Sequence, residues 1–381
     1  MTNSPTNVFS KLRHAGVPRV FEVTTSNVEG VRALFFEGQP WKGKATRVFA
    51  YCGIPERARG QRVPGMVLVH GGGGSAFIPW VQLWMSRGYA AIAMDTCGCI
   101  SGGITNHTRD EHGGPPGWGG FDEVDEPVED QWSFHAVADV LLAHSLLQSF
   151  PEVDENRIGI TGVSWGGYLT CIAAGNDDRF SLAAPVYGCG FLRDNSTWLE
   201  QFKKLGPARA ERWASLWDPS VYLPDVRCPM LWVNGTNDFA YPMDSWQKSY
   251  RLPSTPRTLS LRLRMPHGHQ GPGENPVEIH AFAQSIFSQG APLPAITSQS
   301  MQGRLLRVEF ASSTPIVRAE LNYTTDTGLW VERNWQTLAA EIQVGKNVAE
   351  ADVPDQAAVA YLNLFDERDC AVSSEHILCS P

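Results

Sequence analysis

The motif G-x-S-x-G at residues 162–166 follows an apolar run and precedes small residues that are compatible with a helix. This pattern predicts a nucleophile elbow, a tight turn from strand to helix that presents the serine at its tip. Gly162 and Gly166 lack side chains where the turn leaves no room for them. Ser164 would then have an exposed hydroxyl near a helix N-terminus, and the backbone N–H of Trp165 would face a developing oxyanion. Such a serine favours nucleophilic acyl transfer, whereas the motif alone could also be a chance glycine-rich turn.

A second glycine-rich segment, residues 71–74, follows the apolar run 65–69 and His70. The backbone N–H groups of such a loop can approach a substrate oxygen closely. We therefore predict Gly72 and Gly73 as oxyanion donors that act beside Trp165. A phosphate-binding loop is the alternative, but the lysine and hydroxyl of G-x-x-x-x-G-K-[ST] are missing from this segment. We expect His70 to orient the loop through hydrogen bonds rather than to carry protons.

Asp238 follows the apolar run 228–233, at a turn where the acid of a catalytic triad would lie. An Asx turn or a helix N-cap is the structural alternative for this residue. A further strand-like run, residues 258–265, ends before two histidines, His267 and His269. We favour His269 as the general base because it follows Gly268 on an open loop and precedes a helix-like run over 276–287. His267 is the other candidate, and as a neighbour it could shape the loop.

The three residues occur in the order Ser164, Asp238, His269, which is the order of the α/β-hydrolase fold. This fold is a doubly wound, mainly parallel sheet with the catalytic residues at strand ends. In the predicted mechanism His269 takes the proton of Ser164, and Asp238 holds the imidazole in its productive tautomer. Water then hydrolyses the acyl-enzyme by the same steps.

The chain resembles α/β-hydrolases of the acetyl xylan esterase and dienelactone hydrolase-like group, which borders on the prolyl oligopeptidase family. Residues 70–74, 153–166, 235–238 and 266–269 carry the resemblance, which covers about residues 45–290. It implies a serine carboxylic-ester hydrolase that removes acetyl or other short acyl groups from sugars and small esters. Two alternatives remain: a serine peptidase or amidase that uses the same triad, and a non-catalytic binder that keeps the fold.

The composition suits a globular enzyme, since 381 residues with 43% hydrophobic and 19% charged content can bury a large core. The net charge is −9, and no basic stripe is interleaved with aromatic residues, so nucleic acid is not an expected partner. No apolar stretch reaches the length of a membrane span, so no membrane partner is expected either. The expected partner is a small-molecule or carbohydrate ester. No cofactor is expected, and the sequence leaves the oligomeric state open.

The eight cysteines form no C-x-x-C pair and are predicted to be buried thiols. Cys97 and Cys99 could suggest a metal site, but no histidine or cysteine cluster follows at ligand spacing, so we predict no metal. The N-terminus has no basic segment followed by an apolar one, and we therefore expect a cytoplasmic protein.

Three regions are predicted along the chain. Residues 1–45 form an N-terminal arm, residues 46–290 form the catalytic domain, and residues 296–381 form a small β-sandwich of the Fn3 or Ig type. The sandwich is indicated by alternation from Val317 to Thr324, with the odd-numbered residues expected on the buried face. Its Trp330 and Trp335 could stack on sugars or belong to the core.

A long segment between residues 97 and 126, rich in glycine and proline, is expected to overhang the active site. Large aromatic residues lie next to the predicted catalytic atoms. If they wall the acyl site, they leave room for few methylene groups, which favours short acyl esters. These aromatic residues are Phe77, Trp80, Trp118, Trp165 and Phe239.

Overall fold

A computed structural model of the chain describes residues 9, 12, 16–23, 28, 30–56, 60–101, 107–343 and 345–379. Residues 1–7, on which the expected absence of a leader segment rests, lie outside this set. Within the described residues, no helix is both long enough and apolar enough to cross a lipid bilayer.

Eleven strands precede residue 263 in the described chain. They are β1 (Val20–Glu22), β2 (Val31–Glu37), β3 (Arg47–Gly53), β4 (Val63–Val69), β5 (Ala90–Met94), β6 (Cys99–Ser101), β7 (His107–Arg109), β8 (Val153–Val163), β9 (Leu182–Val186), β10 (Met230–Gly235) and β11 (Arg257–Arg262). Nine of them form one sheet in the order β1-β2-β3-β5-β4-β8-β9-β10-β11, and β6 and β7 form a separate hairpin. Strands β4, β5 and β8 to β11 are paired in parallel, while β1, β2 and β3 join the sheet antiparallel.

Eight α-helices accompany this sheet in the described residues. They are α1 (Ile78–Ser86), α2 (Trp132–Gln148), α3 (Trp165–Asn176), α4 (Leu199–Leu205), α5 (Pro207–Trp217), α6 (Met243–Tyr250), α7 (Gly271–Glu274) and α8 (Val277–Phe287). Helices α2 and α3 pack against each other and on the central strands, α1 packs on β3 and β5, and α8 contacts β9.

The core lies between the helices and the central strands. Every residue of β4, β5 and β10 is buried, as expected for parallel strands that are covered on both faces. Helix α2 is mainly apolar and is covered on all sides, since all of its residues from Trp132 to Leu147 are buried. The predicted α/β-hydrolase fold is confirmed, as is the predicted helix over residues 276–287.

The sheet begins earlier in the chain than the sequence indicated. We expected an arm up to residue 45, but β2 pairs along its whole length with β3, and β1 adds a further antiparallel strand. The apolar run of β2 explains this difference, because Leu34 and Phe36 are fully buried once the strand joins the sheet.

The C-terminal part of the chain forms two antiparallel sheets, as expected for a sandwich. Their strands are β12 (Ala295–Gln302), β13 (Leu305–Ala311), β14 (Ile316–Thr324), β15 (Gln336–Ala339), β16 (Glu341–Gln343), β17 (Val348–Asp352), β18 (Val359–Asp366), β19 (Ala371–Ser373) and β20 (Ile377–Leu378). One sheet has the order β12-β13-β17-β16, and the other has the order β15-β14-β18-β19 with β20 also on β18. A small apolar core lies between them. The three domain boundaries stay predictions.

Strand β14 departs from the expected alternation at both ends. Val317 is 60% exposed because a β-bulge shifts the register between Ile316 and Arg318. Asn322 and Thr324, which we expected on a solvent face, are fully buried. Their sheet is covered on both faces, since Tyr361, paired with Asn322, belongs to the large hydrophobic core of the catalytic sheet.

The turn between β8 and α3 packs very closely against neighbouring backbone. A Cβ atom on Gly162 would lie 2.2 Å from the carbonyl oxygen of Gly166. A Cβ atom on Gly166 would lie 1.9 Å from the carbonyl oxygen of Val69 and 2.7 Å from that of His70. The two glycines of the motif are therefore required by close backbone contact.

We predict that Gly166→Ala lowers the free energy of unfolding by about 3 kcal/mol or more, because the added methyl group can be accommodated only if backbone moves. Denaturant unfolding followed by circular dichroism measures this change. The matched control is Gly328→Ala, where a Cβ atom would have no neighbour within 4 Å. Equal stability of the two variants would contradict the close backbone contact at Gly166.

Asp139 on α2 is a buried carboxyl group whose Oδ1 has no hydrogen-bond partner in the described residues. Burial, and secondly the carboxylate of Asp95, raises the pKa of Asp139 well above its usual range. The folded state therefore keeps this proton at pH values where the unfolded chain, with a carboxyl pKa of about 3.9, has lost it. In that window stability falls as the pH rises, by about 1.4 kcal/mol per pH unit.

We predict that Asp139→Asn removes this dependence, so that the stability of the variant relative to the wild type increases between pH 5 and pH 7. Urea unfolding at both pH values measures the difference. The control is Asp154→Asn, because despite desolvation the Arg157 guanidinium lowers the pKa of Asp154. Its carboxylate is ionised in both states over this range, and the effect of the control substitution should not change with pH. A constant effect of Asp139→Asn would contradict the prediction.

Candidate active site

Ser164 lies at the turn between β8 and α3 with φ 60° and ψ −119°. This is a left-handed backbone conformation that non-glycine residues rarely adopt, and it is typical of strained positions at functional sites. The backbone N–H of Ser164 donates to the carbonyl of Val186 at 2.9 Å, which fixes the turn against the neighbouring strand. Trp165 is the first residue of α3, so its backbone N–H has no acceptor within the helix. The serine and this N–H group therefore lie side by side at a helix N-terminus.

The glycine-rich loop lies directly against the serine, since a Cβ atom on Gly71 would be 2.9 Å from the Cβ atom of Ser164. Both polar groups of Gly71 are held in place. Its N–H donates to His269 Nε2 at 2.8 Å, and its carbonyl oxygen lies 2.9 Å from His70 Nδ1. The carbonyl also accepts the N–H of Gly74 at 3.1 Å. The imidazoles of His269 and His70 thus hold the N–H group and the carbonyl group of Gly71 in place.

The other nitrogen of His70 defines its tautomer. Nε2 accepts the backbone N–H of Thr96 at 3.0 Å, so the ring proton is on Nδ1, which donates to Gly71. His70 is buried and orients the loop, in agreement with the expectation from the sequence.

Asp238 pairs with His267, not with His269. The distance from Asp238 Oδ2 to His267 Nδ1 is 2.6 Å, and the side chain of Asp238 is fully buried. Its other oxygen accepts the backbone N–H groups of Ala240 and Tyr241 at 2.9 and 2.8 Å. Because a carboxylate only accepts, Nδ1 of a neutral His267 carries the proton and Nε2 has the free lone pair. Nε2 has no hydrogen-bond partner among the described residues.

Two aromatic rings enclose the imidazole of His267. Tyr187 stacks on it with ring centroids 4.5 Å apart, and Phe239 packs on it at 4.7 Å. The Tyr187 hydroxyl donates to the carbonyl of Pro266 at 2.6 Å, and burial raises the pKa of Tyr187, so that this hydroxyl stays protonated. These contacts restrict the orientation of the ring that Asp238 binds.

His269 belongs to a second pair. Its Nδ1 lies 2.9 Å from Glu274 Oε1, and its Nε2 already accepts the N–H of Gly71. The sequence analysis expected His269 between Ser164 and Asp238, but its ring points to the glycine-rich loop and to the start of the helical run that contains Glu274. Phe77 and Trp80 pack on the same ring. Two histidine-carboxylate pairs therefore lie close together, and the acid predicted from the sequence is bound by the histidine that was the second choice.

The structure brings the serine, both histidine pairs and the loop to one edge of the sheet. Ser164 Oγ makes no hydrogen bond to either imidazole within the described part of the chain. Catalytic hydrogen bonds are commonly long in structures without substrate. Gly72 and Gly73 are exposed at the tip of the loop, and the Trp165 indole lies beneath Gly72, 2.7 Å from where its Cβ would be.

Glu274 and Tyr187 were missed by the sequence analysis. Glu274 follows His269 by five residues, and only the short helix α7 turns its carboxylate back toward the ring. Tyr187 follows a buried strand like many core tyrosines, and no spacing links it to His267. No local signal in the sequence distinguishes either residue.

Most of the aromatic residues expected to wall the site are buried there. Phe77, Trp80 and Trp165 are each less than 10% exposed, while Phe239 is 54% exposed. Trp118 contacts the ring of His70, so the long segment between residues 97 and 126 does reach the glycine-rich loop. A cleft beside this segment is lined by Trp118, Phe121, Gln201 and charged side chains.

No group of three or more histidine, cysteine, aspartate or glutamate side chains that could hold a metal ion is found among the residues described. Cys97 instead donates its thiol to the carbonyl of Gly117.

Two protein families match overlapping parts of the chain. The acetyl xylan esterase (AXE1) family matches residues 13–199, and the prolyl oligopeptidase family matches residues 123–285. An uncharacterized peptidase of Bacillus subtilis (strain 168), YuxL, is 23% identical over 216 residues. That match covers 51% of this chain but only 29% of the relative, so the chain spans less than a third of the length of that protein.

Solved structures show the same fold. An acetyl xylan esterase from Paenibacillus sp. R4 superposes with a TM-score of 0.59 at 23% identity, covering 75% of this chain and 94% of that one. Acetyl xylan esterase 1 from Thermoanaerobacterium sp. JW/SL YS485 gives 0.59 at 16% identity with the same coverage. An acylaminoacyl peptidase from Pyrococcus horikoshii gives 0.51 at 20% identity, covering 68% of this chain and 43% of that one.

Ser164, at the turn after β8, lies within both family matches, whereas Asp238 and the two histidines, which follow β10 and β11, lie only within the prolyl oligopeptidase match. The chain therefore has the α/β-hydrolase fold and is similar to the acetyl xylan esterase family in its N-terminal half and to the prolyl oligopeptidase family over residues 123–285.

Proposed function

We propose that this hydrolase is a serine esterase that removes short acyl groups, with Ser164 as nucleophile, His267 as general base and Asp238 as the acid that orients the base. The observation that carries the proposal is the 2.6 Å contact between Asp238 and His267, at the same edge of the sheet as Ser164. It replaces the pairing with His269 that we expected from the sequence.

The chemistry of this triad follows from the tautomer of His267. Its free Nε2 takes the proton of Ser164 as Oγ attacks the ester carbonyl carbon, and the bond to the alcohol breaks as the same proton passes to the leaving oxygen. Water then attacks the acyl-enzyme and gives its proton to Nε2, and the acid is released as the bond to Oγ breaks and Nε2 returns the proton to Oγ. Asp238, buried and held by two backbone N–H groups, stabilises the imidazolium in both halves of the reaction.

Stabilisation of the oxyanion is assigned to backbone N–H donors at the start of α3 and in the glycine-rich loop. Gly71 N–H is engaged by His269, so the loop donor is Gly72, with Gly73 beside it, and the helix donor is Trp165 N–H. Preorganised donors of this kind are each worth about 3–4 kcal/mol of transition-state stabilisation.

A short acyl group and a carbohydrate leaving group are the proposed substrate class. Phe77 and Trp80 pack on the ring of His269, and Trp165 lies beneath Gly72, so these large side chains leave little space for a long acyl chain beside the loop. The cleft lined by Trp118, Phe121 and Gln201 combines aromatic faces with polar groups, as sugar sites do. The acetyl xylan esterase match agrees with this class.

A serine peptidase or amidase is the second candidate. The match to the prolyl oligopeptidase family over residues 123–285 favours it, because an acyl-enzyme can form from an amide on the same groups. Cleavage of an ester compared with cleavage of an anilide separates the two candidates.

The compartment proposed for this activity is the cytoplasm. All eight cysteines lie in the described residues and all are free thiols, six of them buried. Free thiols are typical of reducing compartments.

We predict that the protein hydrolyses p-nitrophenyl acetate and butyrate at least about tenfold faster in kcat/KM than the octanoate, a difference of about 1.4 kcal/mol. Aminoacyl p-nitroanilides should be turned over poorly.

Ser164→Ala should lose activity by about a millionfold and remain folded. Steady-state kinetics measure all three. Preference for anilides would favour the peptidase, a maximum at octanoate would remove the short-acyl assignment, and an active Ser164→Ala would contradict the nucleophile.

The two histidines should differ in their effects. We predict that His267→Ala is about as damaging to kcat as Ser164→Ala, whereas His269→Ala lowers kcat by about 10- to 100-fold, because it releases the loop but leaves the base in place. Kinetics with p-nitrophenyl acetate measure both variants, and circular dichroism checks that each is folded. The reverse ranking would make His269 the base, with Glu274 as its carboxylate.

A further inference from the structure

The turn that carries Asp238 is contacted by the C-terminal sheets. Asn237 precedes the acid, and its Nδ2 lies 3.3, 3.0 and 2.8 Å from the carbonyl oxygens of Trp330, Val331 and Arg333. Its Oδ1 accepts the hydroxyl of Thr236 at 2.8 Å. Every polar atom of this carboxamide is therefore engaged, and the orientation of the amide is defined by acceptors on one side and a donor on the other.

The segment that supplies these carbonyls, residues 329–335, is held in its conformation by contacts of its own. Residues Trp330–Glu332 form one turn of 3₁₀ helix, and the guanidinium of Arg333 covers the ring of Trp330 at 3.7 Å. Asp326 accepts the backbone N–H of Asn334 at 2.7 Å. Trp330 and Trp335 are less than 10% exposed and belong to the hydrophobic core of the catalytic sheet, so they are not free to stack on sugars.

The same segment also reaches the chain that leads to His267. Arg264 donates from its guanidinium to the carbonyl of Trp335 at 3.3 Å, and its backbone N–H donates to Thr236 Oγ1 at 3.0 Å. Arg264 has φ 45°, so the backbone turns sharply there, three residues before the histidine. Residues 329–335 therefore contact Asn237, which directly precedes Asp238, and Arg264, which lies three positions before His267.

We infer that residues 329–335 are a positioning element for the Asp238–His267 pair, and that Asn237 is the positioning residue through which they act. This inference rests on the proposed function, because it assumes that the pair serves Ser164. It gives the C-terminal sheets a role in catalysis without contact with the substrate. Loss of the Asn237 contacts displaces the acid turn while Ser164, the oxyanion donors and the substrate site remain.

The test compares Asn237→Ala and Asn237→Asp with the wild type. The first removes the donor, and the second places a carboxylate against three carbonyl oxygens, so it should be the more damaging. We expect kcat for p-nitrophenyl acetate to fall about 10- to 100-fold, since a shift of about 1 Å in a catalytic group can cost a hundredfold in rate. KM should stay within about twofold, because no group that binds substrate is changed.

A conservative pair and a stability control separate positioning from general destabilisation. Thr236→Ser keeps the hydroxyl that holds Asn237 and should retain activity, whereas Thr236→Val should resemble Asn237→Ala. Leu306→Ala lies in the small core between the C-terminal sheets, and it should lower Tm at least as much while kcat stays within about twofold. Wild-type kcat in both Asn237 variants, or an equal loss in Leu306→Ala, would overturn the inference.

The rate at which a fluorophosphonate labels Ser164 is measured in the same proteins, because it reports activation of the serine without a choice of substrate. Slower labelling of the Asn237 variants than of the wild type supports the inference. Labelling of both Asn237 variants at the wild-type rate overturns the inference and leaves the proposed function intact. A wild-type protein that is not labelled, or labelling that persists in Ser164→Ala, contradicts the proposed function, and the inference falls with it.

Discussion

The close passage of backbone at the turn after β8 is the constraint on which the site depends. Ser164 takes a left-handed conformation because the chain must reverse from strand to helix within one residue, and Gly166 lets α3 begin against the carbonyl groups at the end of β4. This crossing brings the glycine-rich loop, which continues from β4, next to the serine. The strain of the turn is offset by the buried strands on either side, whose packing over-determines its geometry.

Two histidine-carboxylate pairs lie at the same edge of the sheet as this turn, and their surroundings differ. The Asp238–His267 pair leaves one imidazole nitrogen free, whereas both nitrogens of His269 are occupied, by Glu274 and by the N–H of Gly71. A neutral imidazole has one donor and one acceptor, so a ring whose acceptor already binds backbone is poorly placed to take a proton from serine. The same physical chemistry favours His267 for the proposed proton transfer and leaves His269 as a support of the loop.

One of the two C-terminal sheets, the one that contains β18, also contributes to the core of the catalytic sheet. Strand β18 faces the small core between the two sheets with one side and strand β11 with the other, where Asn363 donates to the carbonyl of Leu261. Because β11 leads into the loop of the two histidines, contacts made by the C-terminal sheets are transmitted to the catalytic edge over a short distance. The C-terminal sheets, which carry none of the proposed catalytic residues, can in this way influence Asp238 and His267.

The fold class and the elements that carry the site could be predicted from local features of the chain, namely its apolar runs and the glycines required at tight turns. Ser164, the glycine-rich loop and the turn with Asp238 could all be predicted in this way. The choice between His267 and His269 could not, since two residues on one loop point in different directions and only their partners decide which: Asp238 for the first, Glu274 and Gly71 for the second. The same holds for Val317 and for Trp330, where a bulge and the contact with the catalytic sheet decided burial. These outcomes depend on residues far apart in the chain, and a local pattern carries no information about such partners.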